Sequence, residues 1–234
     1  MPIFRLTNQI AFPPPHFAEE DGLLAVGGNL QPERLLAAYE AGIFPWYSDG
    51  QPILWWSPDP RLVLFPGEFH RSRSLRKTIR RGTFELRFDT AFAEVITACA
   101  GAPRSYGEGT WITDEMKQAY TRLHELGYAH SIECWHEGTL AGGVYGLSLG
   151  SCFFGESMFT RITDASKVAL SALAHLCEAW DFEFIDCQVT NDHLLSLGAR
   201  EISRENFLKR LRRNLEHPTR RGSWRETARQ ALQS

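Results

Sequence analysis

Asp186 and Gln188 are the residues of this 234-residue chain whose types and spacing most directly suggest chemistry. They stand two apart near the carboxyl end of a predicted strand, so the two-residue period of a strand predicts that both side chains lie on one face. Ligands of α/β proteins bind at the carboxyl ends of sheet strands, where a carboxylate can accept a proton or orient an amine. The alternative is that both side chains only hydrogen-bond loop backbone, and the residues alone leave both interpretations open.

Cys187 lies between these two residues and is predicted to point to the opposite face as a small buried hydrophobe. We therefore expect Cys187→Ala to cost on the order of 1 kcal/mol of stability and to leave kcat unchanged. The nearly isosteric Asp186→Asn should keep the thermal stability while it lowers kcat by roughly 10²- to 10⁴-fold.

Glu156 is a second candidate because it interrupts a stretch, residues 151–159, that is otherwise suited to burial. An ionised carboxylate in such a strand needs a partner or a purpose. The structural alternative is a buried ion pair with Arg161 or Lys167.

Four tryptophans lie in connections rich in glycine and proline: Trp46, Trp55, Trp56 and Trp111. A tryptophan there either fills the gap between two domains or offers a flat face on which a nucleobase stacks. The residues alone favour gap filling.

Basic charge is concentrated in two segments of a chain whose formal net charge is −3. Residues 69–81 hold six basic residues and no acid, and residues 200–234 hold ten basic residues against four acids. A charged stripe is usually a solvated helix face, but beside an otherwise acidic body a dense basic patch suits a polyanion. The predicted contacts with an RNA backbone are Arg71, Arg73, Arg76, Lys77, Arg80 and Arg81.

The elements that must position these residues form two units. Residues 1–60 are rich in turns, prolines and aromatics around one short helix, and they predict a small N-terminal domain. Residues 61–234 begin with a strand and a basic helix capped by Ser72, and they contain three strands joined by tight turns. A helix capped by Asp164 and a strand ending near Val189 follow, which predicts a mixed sheet with a crossover, an α/β class of α+β-like character.

Several classes of protein and site are not supported by the sequence. Five scattered cysteines indicate reduced thiols and a cytoplasmic protein, and no metal-ligand spacing, phosphate loop or nucleophile elbow is present. No stretch near the start is apolar enough for a signal peptide or a membrane span. We therefore expect no metal, no cofactor and no membrane partner.

Six motifs in order along the chain resemble the bacterial leucyl/phenylalanyl-tRNA–protein transferase family. They are GLLAVGG at 22–28, GIFPW at 42–46, WWSPDP at 55–60, GTWI at 109–112, FGESMF at 154–159 and IDCQ at 185–188. The resemblance implies a small N-terminal domain followed by a GNAT-like acyltransferase domain. It also implies a cytoplasmic enzyme that moves Leu or Phe from aminoacyl-tRNA to proteins with N-terminal Arg or Lys, which marks them for N-degron degradation.

The resemblance also implies roles for individual residues. Asp186 and Gln188 match the catalytic pair, Trp46 and Trp111 match residues beside the 3′-terminal adenosine, and Glu156 matches a pocket residue. The residues expected around the aminoacyl side chain are Phe153, Met158, Leu170, Tyr39 and Asn191. Val144 departs from the methionine of the family pattern, so the preference among Leu, Phe and Met stays open, and the basic tail beyond Arg200 carries no family motif.

The implied chemistry requires no nucleophilic side chain, because aminoacyl-tRNA is already an activated ester and the attacking group is an α-amine. We expect Asp186 to orient or deprotonate that amine and Gln188 to hold it. Two alternatives remain at this point, a non-catalytic RNA-binding protein and an acetyl-CoA N-acetyltransferase. The second is disfavoured because no pyrophosphate-binding loop precedes the Asp164 helix.

Overall fold

The computed structural model describes residues 3–102 and 111–232. Gly109 and Thr110 of the GTWI motif lie outside this range. The described helices are α1 (Pro32–Glu40), α2 (Arg73–Arg80), α3 (Phe92–Ala100), α4 (Asp114–Glu125), α5 (Ala165–Ala179), α6 (Asp192–Ser196), α7 (Arg204–Asn214) and α8 (Arg225–Ala231).

The proline-rich beginning of the chain builds a small sheet of its own with the order β1-β2-β4-β3. Its strands are β1 (Phe4–Leu6), β2 (Leu23–Gly27), β3 (Phe44–Pro45) and β4 (Leu54–Trp56). The strands are short because prolines interrupt the segment and cannot donate to a ladder. The position of a domain boundary at residue 60 stays a prediction.

A seven-stranded sheet with the order β11-β5-β10-β9-β8-β7-β6 forms the centre of the remaining chain. Its strands are β5 (Arg61–Leu64), β6 (Glu85–Phe88), β7 (Ala129–His136), β8 (Thr139–Leu149), β9 (Cys152–Thr160), β10 (Phe184–Gln188) and β11 (Arg200–Ile202). Among the described residues of this sheet, β9 and β10 pair in parallel and the other neighbouring strands are antiparallel, and α5 connects β9 to β10. The prediction of a mixed α/β sheet with a crossover is confirmed.

Apolar side chains cover both faces of this sheet. One cluster joins α1, α3, α4, α7 and the small sheet, and it includes Tyr39, Val63 and Phe154. The other cluster joins α2, α5 and α8, and it includes Ile185 and Trp224. We call these the α1 face and the α5 face.

The predicted serine caps form, whereas the predicted cap at Asp164 does not. Ser72 and Ser203 accept hydrogen bonds from backbone N–H groups two or three residues into α2 and α7, as the capping pattern predicts. Asp164 precedes α5 in a left-handed conformation, and its side chain makes no cap bond. Its carboxylate instead accepts hydrogen bonds from Lys167 and Thr78, so it connects α5 to α2.

The sheet opens between its two parallel strands. Their register ends where Phe154 faces Asp186, while β9 continues to Thr160. On its other side β9 bulges at Glu156, because Gly155 faces Gly146 and the next paired residue is Ser157. An extra residue of this kind re-aims side chains. Phe154 packs on the α1 face and Met158 packs on the α5 face, although an unbroken alternation would put both on one face.

No helix among residues 3–102 and 111–232 is long and apolar enough to cross a membrane.

Candidate active site

A cavity of about 1000 Å³ occupies the opening between β9 and β10. Its described lining combines polar groups with an apolar wall and comes from β3 and the β3–β4 connection, Trp111, β8, β9, β10, α5 and the α6 region. The lining residues that the argument uses are Trp46, Asp49, Trp111, Val144, Glu156, Met158, Leu170, Ile185, Cys187, Gln188 and Asn191.

Glu156 is the buried carboxylate of this cavity. Its Oε1 accepts hydrogen bonds from the Tyr39 hydroxyl and from Nε2 of Gln188, each at 2.7 Å. The Tyr39 hydroxyl also contacts the hydroxyl of Tyr120 on α4. Burial raises the pKa of Glu156 to about 7, although hydrogen bonds from Tyr39, Gln188 and Tyr120 offset part of the rise. Glu156 can therefore exchange a proton near neutral pH.

The ion-pair alternative for Glu156 is wrong. The guanidinium of Arg161 donates to the carbonyl of Leu140 and lies over the ring of Phe159. Lys167 binds Asp164 at 3.1 Å. Neither cation turns toward Glu156, whose carboxylate lies on the α1 face with Phe154 and bonds to Tyr39.

Asp186 forms an ion pair with Arg61, whereas we expected its carboxylate to face the reacting amine. Arg61 donates through Nε to Oδ1 at 2.8 Å and through Nη2 to Oδ2 at 2.6 Å. The backbone N–H of Gln188 donates to Oδ1 at 3.0 Å, and both charged side chains are fully buried. Asp186 does not line the cavity. The expected direct encounter between this carboxylate and the amine therefore has no support in the geometry, and Asp186 instead fixes the backbone of Gln188.

The side chains of Asp186 and Gln188 both bond to groups connected with α1, on one side of the sheet as predicted, although β10 is irregular between the two residues. Arg61, the partner of Asp186, also donates to the carbonyl of Gly42 directly after α1, and Gln188 reaches Glu156 and thereby Tyr39. Gln188 has a φ of 63°, and the register of β10 against β5 shifts between Asp186 and Gln188. The left-handed backbone places the Gln188 amide at the cavity.

The tryptophans divide between the two interpretations. Trp55 is fully buried, and its Nε1 donates to the carbonyl of Gly27, so it packs within the segment that carries the small sheet and offers no face to a base. Trp46 lines the cavity with 40% of its surface exposed, and its ring lies 5.7 Å from that of Trp56. Trp111 lines the same cavity. Trp46 and Trp111 thus offer aromatic surface at the site.

The apolar wall contains Val144, Met158 and Leu170 as expected, together with Leu173, Ile185 and Leu194. Phe153 was expected beside the aminoacyl side chain, but it is fully buried against Trp224 and does not line the cavity. It occupies the space that Gly146 leaves, where an added Cβ would lie 2.5 Å from the Phe153 ring.

Three other predicted residues take places that the sequence did not specify. Tyr39 does not line the cavity and acts through Glu156. Asn191 lines it while its side chain caps α6 by accepting from Leu194 N–H. Cys187 points to the α5 face as predicted, but it is only partly buried and lines the cavity.

The basic helix α2 presents its charges to solvent. Leu75 is its buried residue, and Arg73, Arg76, Lys77, Arg80 and Arg81 are exposed. Arg71 differs, because its Nε donates to the hydroxyl of Ser171 at 2.8 Å and its guanidinium lies over Phe69. A second cavity of about 370 Å³ opens between α2, α5 and α8 beside these arginines.

Two family models match the chain. The model described as leucyl/phenylalanyl-tRNA protein transferase matches residues 63–212, and the model of the N-terminal domain of the same transferase matches residues 28–59. The chain belongs to this family. It is therefore an aminoacyltransferase, and the two alternatives of a non-catalytic RNA-binding protein and an acetyl-CoA N-acetyltransferase are set aside.

Curated members of the leucyl/phenylalanyl-tRNA–protein transferase family are similar along nearly the whole chain. The relative from Azoarcus sp. (strain BH72) is 63% identical over 210 residues, which are 89% of each chain. The relative from Syntrophobacter fumaroxidans is 59% identical over 224 residues, which are 96% of each chain. Among solved structures, L-PGS from Bacillus licheniformis is 10% identical with a TM-score of 0.38, and the match covers 72% of this chain and 54% of that one.

Sequence reasoning missed two members of the transferase site. Arg61 opens an otherwise apolar strand, and such a lone cation could have signalled a buried partner. Tyr120 lies on α4, and nothing in the sequence pointed to its contact with Tyr39.

The described residues also contain no group of three His, Cys, Asp or Glu side chains close enough to hold a metal ion.

Proposed function

We propose that this transferase moves leucine or phenylalanine from aminoacyl-tRNA to the α-amine of proteins that begin with Arg or Lys, and that Glu156 holds the proton which the amine gives up. The observation that carries the assignment of Glu156 is its position in the cavity together with a pKa of about 7. A group with this pKa can both accept and return a proton at neutral pH.

The proposed reaction is an attack of the amine on the ester carbon of the aminoacyl group. A C–N bond forms, the bond from the carbonyl carbon to the 3′ oxygen of the terminal adenosine breaks, and an amide results. The amine loses a proton to Glu156, which returns it to the departing 3′ oxygen. The ester supplies the driving force, so the protein has to align the two groups and move one proton.

Glu156 needs a fixed orientation for this task. The Tyr39 hydroxyl and the Gln188 amide both donate to the same carboxylate oxygen, Oε1, and we assign Oε2 to the amine. Asp186 is a positioning residue in this proposal. It accepts from Gln188 N–H while Arg61 holds it in place, and Gln188 in turn holds Glu156.

The donor fits the two other parts of the cavity. The apolar wall of Val144, Met158 and Leu170 suits the side chain of leucine or phenylalanine. Trp46 and Trp111 provide ring faces for the 3′-terminal adenine, as the family resemblance implies.

The acceptor fits the charge of the cavity. Among the described lining residues the charged ones are Asp49 and Glu156, both acidic. The ammonium form of the α-amine and the basic first side chain are attracted to such a site. The ammonium releases one proton to solvent, and the neutral amine then attacks and gives a second proton to Glu156. We propose that the carboxylate of Asp49, which is exposed near Trp46, binds the basic first side chain of the acceptor.

The wider role follows from the activity. Addition of leucine or phenylalanine changes the first residue of the acceptor, and we propose that this marks it for N-degron degradation in the cytoplasm. We also propose a small N-terminal domain over residues 1–60 and a GNAT-like domain over residues 61–234. The antiparallel meander, the α5 crossover and the diverging parallel strands support the latter.

The test is direct transfer. Purified protein is mixed with [¹⁴C]Leu-tRNA and a peptide that begins with Arg, and peptide-bound label is measured. A peptide of the same sequence with an acetylated N-terminus is the control. Label on the free peptide alone supports the proposal, whereas equal labelling of both peptides, or of neither, contradicts it.

A further inference from the structure

The C-terminal segment, residues 220–232, lies beyond the residues that the transferase family model matches. It holds Arg220, Arg221, Arg225 and Arg229 against the single acid Glu226. Its structure is well defined by contacts with the body of the protein, so its charges occupy fixed places.

Trp224 anchors this segment to the α5 face of the large sheet. Its backbone N–H donates to the buried carboxylate of Asp89 at 2.7 Å. Its indole stacks on His130 with 3.8 Å between ring centroids, and it is 2% exposed. The same carboxylate accepts from His130 and from Ser131 N–H, so the anchor is tied to β7.

The anchor places α8 next to α2. Leu232, directly after α8, lines the 370 Å³ cavity together with Arg76, Ile79 and Arg80 of α2. Arg225 and Arg229 precede Leu232 by seven and three residues, so helical geometry puts all three on one stripe about 10 Å long. Ala228 packs inward roughly 60° around the helix from Arg225 and roughly 100° from Arg229, and both arginines are exposed.

The arginines between residues 200 and 213 differ from those of α8, because several of them form ion pairs. Arg210 and Arg213 of α7 both bind Glu183, and Arg200 binds Glu68. Their charge is neutralised by nearby carboxylates. Near α8, Glu85 of β6 lies close enough to Arg229 for their charges to interact, and Glu85 also accepts two hydrogen bonds from Arg87.

We propose that the C-terminal arginines and α2 form one RNA-binding surface, which we call the α2–α8 surface, and that Arg225 and Arg229 contact phosphates of the donor tRNA away from its 3′ end. This inference rests on the proposed function for the identity of the RNA. Charge complementarity selects the partner, because the surface joins six basic residues of the 69–81 segment to the arginines of α8 beside an acidic body.

The experiment measures binding of uncharged tRNA-Leu to the full chain by fluorescence anisotropy between 50 and 300 mM NaCl. The test variant is Arg225→Gln/Arg229→Gln. The control variant is Lys209→Gln/Arg212→Gln, which removes the same charge from exposed positions of α7 on the opposite face of the sheet. Thermal melts check that both variants keep the fold.

We expect the test variant to bind about tenfold more weakly at low salt, with the slope of log K against log salt reduced by about one unit for each lost contact. The control should keep the wild-type slope. A test variant that binds tRNA like the control across the salt series overturns the inference. The same result is expected if the α8 arginines bind an acidic protein and not tRNA. Transfer from leucyl-adenosine is measured in parallel, because its absence in the wild type would count against the proposed function and not against this surface.

Discussion

Arg61 and Asp186 form a buried bidentate ion pair between positions 125 residues apart in the chain. Arg61 also donates to the carbonyl of Gly42 and lies over the rings of Phe44 and Phe207. The pair thereby connects β10, which carries Gln188, to the segment that follows α1. A charge placed in this way holds its partner only while that partner is ionised.

Asp186→Asn should therefore be strongly destabilising, which replaces the sequence-based expectation of unchanged melting. The substitution leaves the Arg61 guanidinium buried without an opposite charge, at a cost of about 3–5 kcal/mol. Urea denaturation measures this cost. A midpoint equal to that of the wild type would contradict the structural role of the pair.

The double variant Arg61→Met/Asp186→Leu separates folding from positioning. Removal of both charges should restore most of the stability. The kcat should stay low, because the acceptor of Gln188 N–H is gone.

Glu156→Gln should lower kcat by roughly 10²- to 10⁴-fold, the range for loss of a general acid or base. In the wild type kcat/KM should rise with pH through about 7, as the Glu156 carboxyl loses its proton. The variant should lose this limb and keep the limb of the acceptor amine near pH 8. A wild-type pH profile in an active Glu156→Gln enzyme would exclude Glu156 from proton transfer.

The same substitution should stabilise the protein at high pH. The pKa of Glu156 is raised from 4.5 to about 7 in the folded state, so the stability it contributes is full below pH 4.5 and is lost as the pH rises through 7. Glu156→Gln should recover about 3 kcal/mol at pH 8 and almost nothing at pH 4. Thermal melts at the two pH values measure the difference, and an equal shift at both would show that charge burial is not the cause.

Val144→Met should narrow the cavity at its apolar wall, because methionine is longer than valine. We expect the ratio of kcat/KM for Phe-tRNA over Leu-tRNA to fall by about tenfold, because one added methylene or a larger side chain in a hydrophobic pocket changes binding by about 1–3 kcal/mol. Val168→Met is the control, since Val168 lines the second cavity. An unchanged ratio in Val144→Met would remove this wall from side-chain selection.

Asp49→Asn should raise KM for a peptide that begins with Arg by about 2- to 5-fold, the range for one exposed ion pair. The effect should shrink in high salt, whereas KM for Leu-tRNA should not change. Glu40→Gln removes an exposed acid that does not line the cavity and is the matched control. Equal effects of both substitutions would mean that only net charge matters.

Charge reversal of Arg76, Lys77, Arg80 and Arg81 should weaken tRNA binding and flatten its salt dependence, because each lost phosphate contact removes about one unit of slope. Transfer from leucyl-adenosine should survive, since this donor has no backbone to bind α2. Filter binding over a salt series and transfer assays with both donors measure the two effects. Wild-type tRNA affinity in the variant would make α2 a solvated helix face only.

The sequence by itself determined the family, the mixed α/β class and the basic character of α2. It also indicated Glu156, Asp186 and Gln188. These features are local, because motif residues, helix caps and strand periods depend on neighbours a few positions away. A carboxylate in an apolar strand is recognisable before its partners are known.

The tertiary structure decided which group each of these residues meets. The bulge at Glu156 places Met158 on the opposite face from Phe154. The pairing of β5 with β10 brings Asp186 into contact with Arg61. Phe153 was excluded from the cavity because Gly146 and Trp224 enclose it. Such contacts depend on strand register and on pairings between distant segments, and a shift of one residue reverses the face of every side chain that follows.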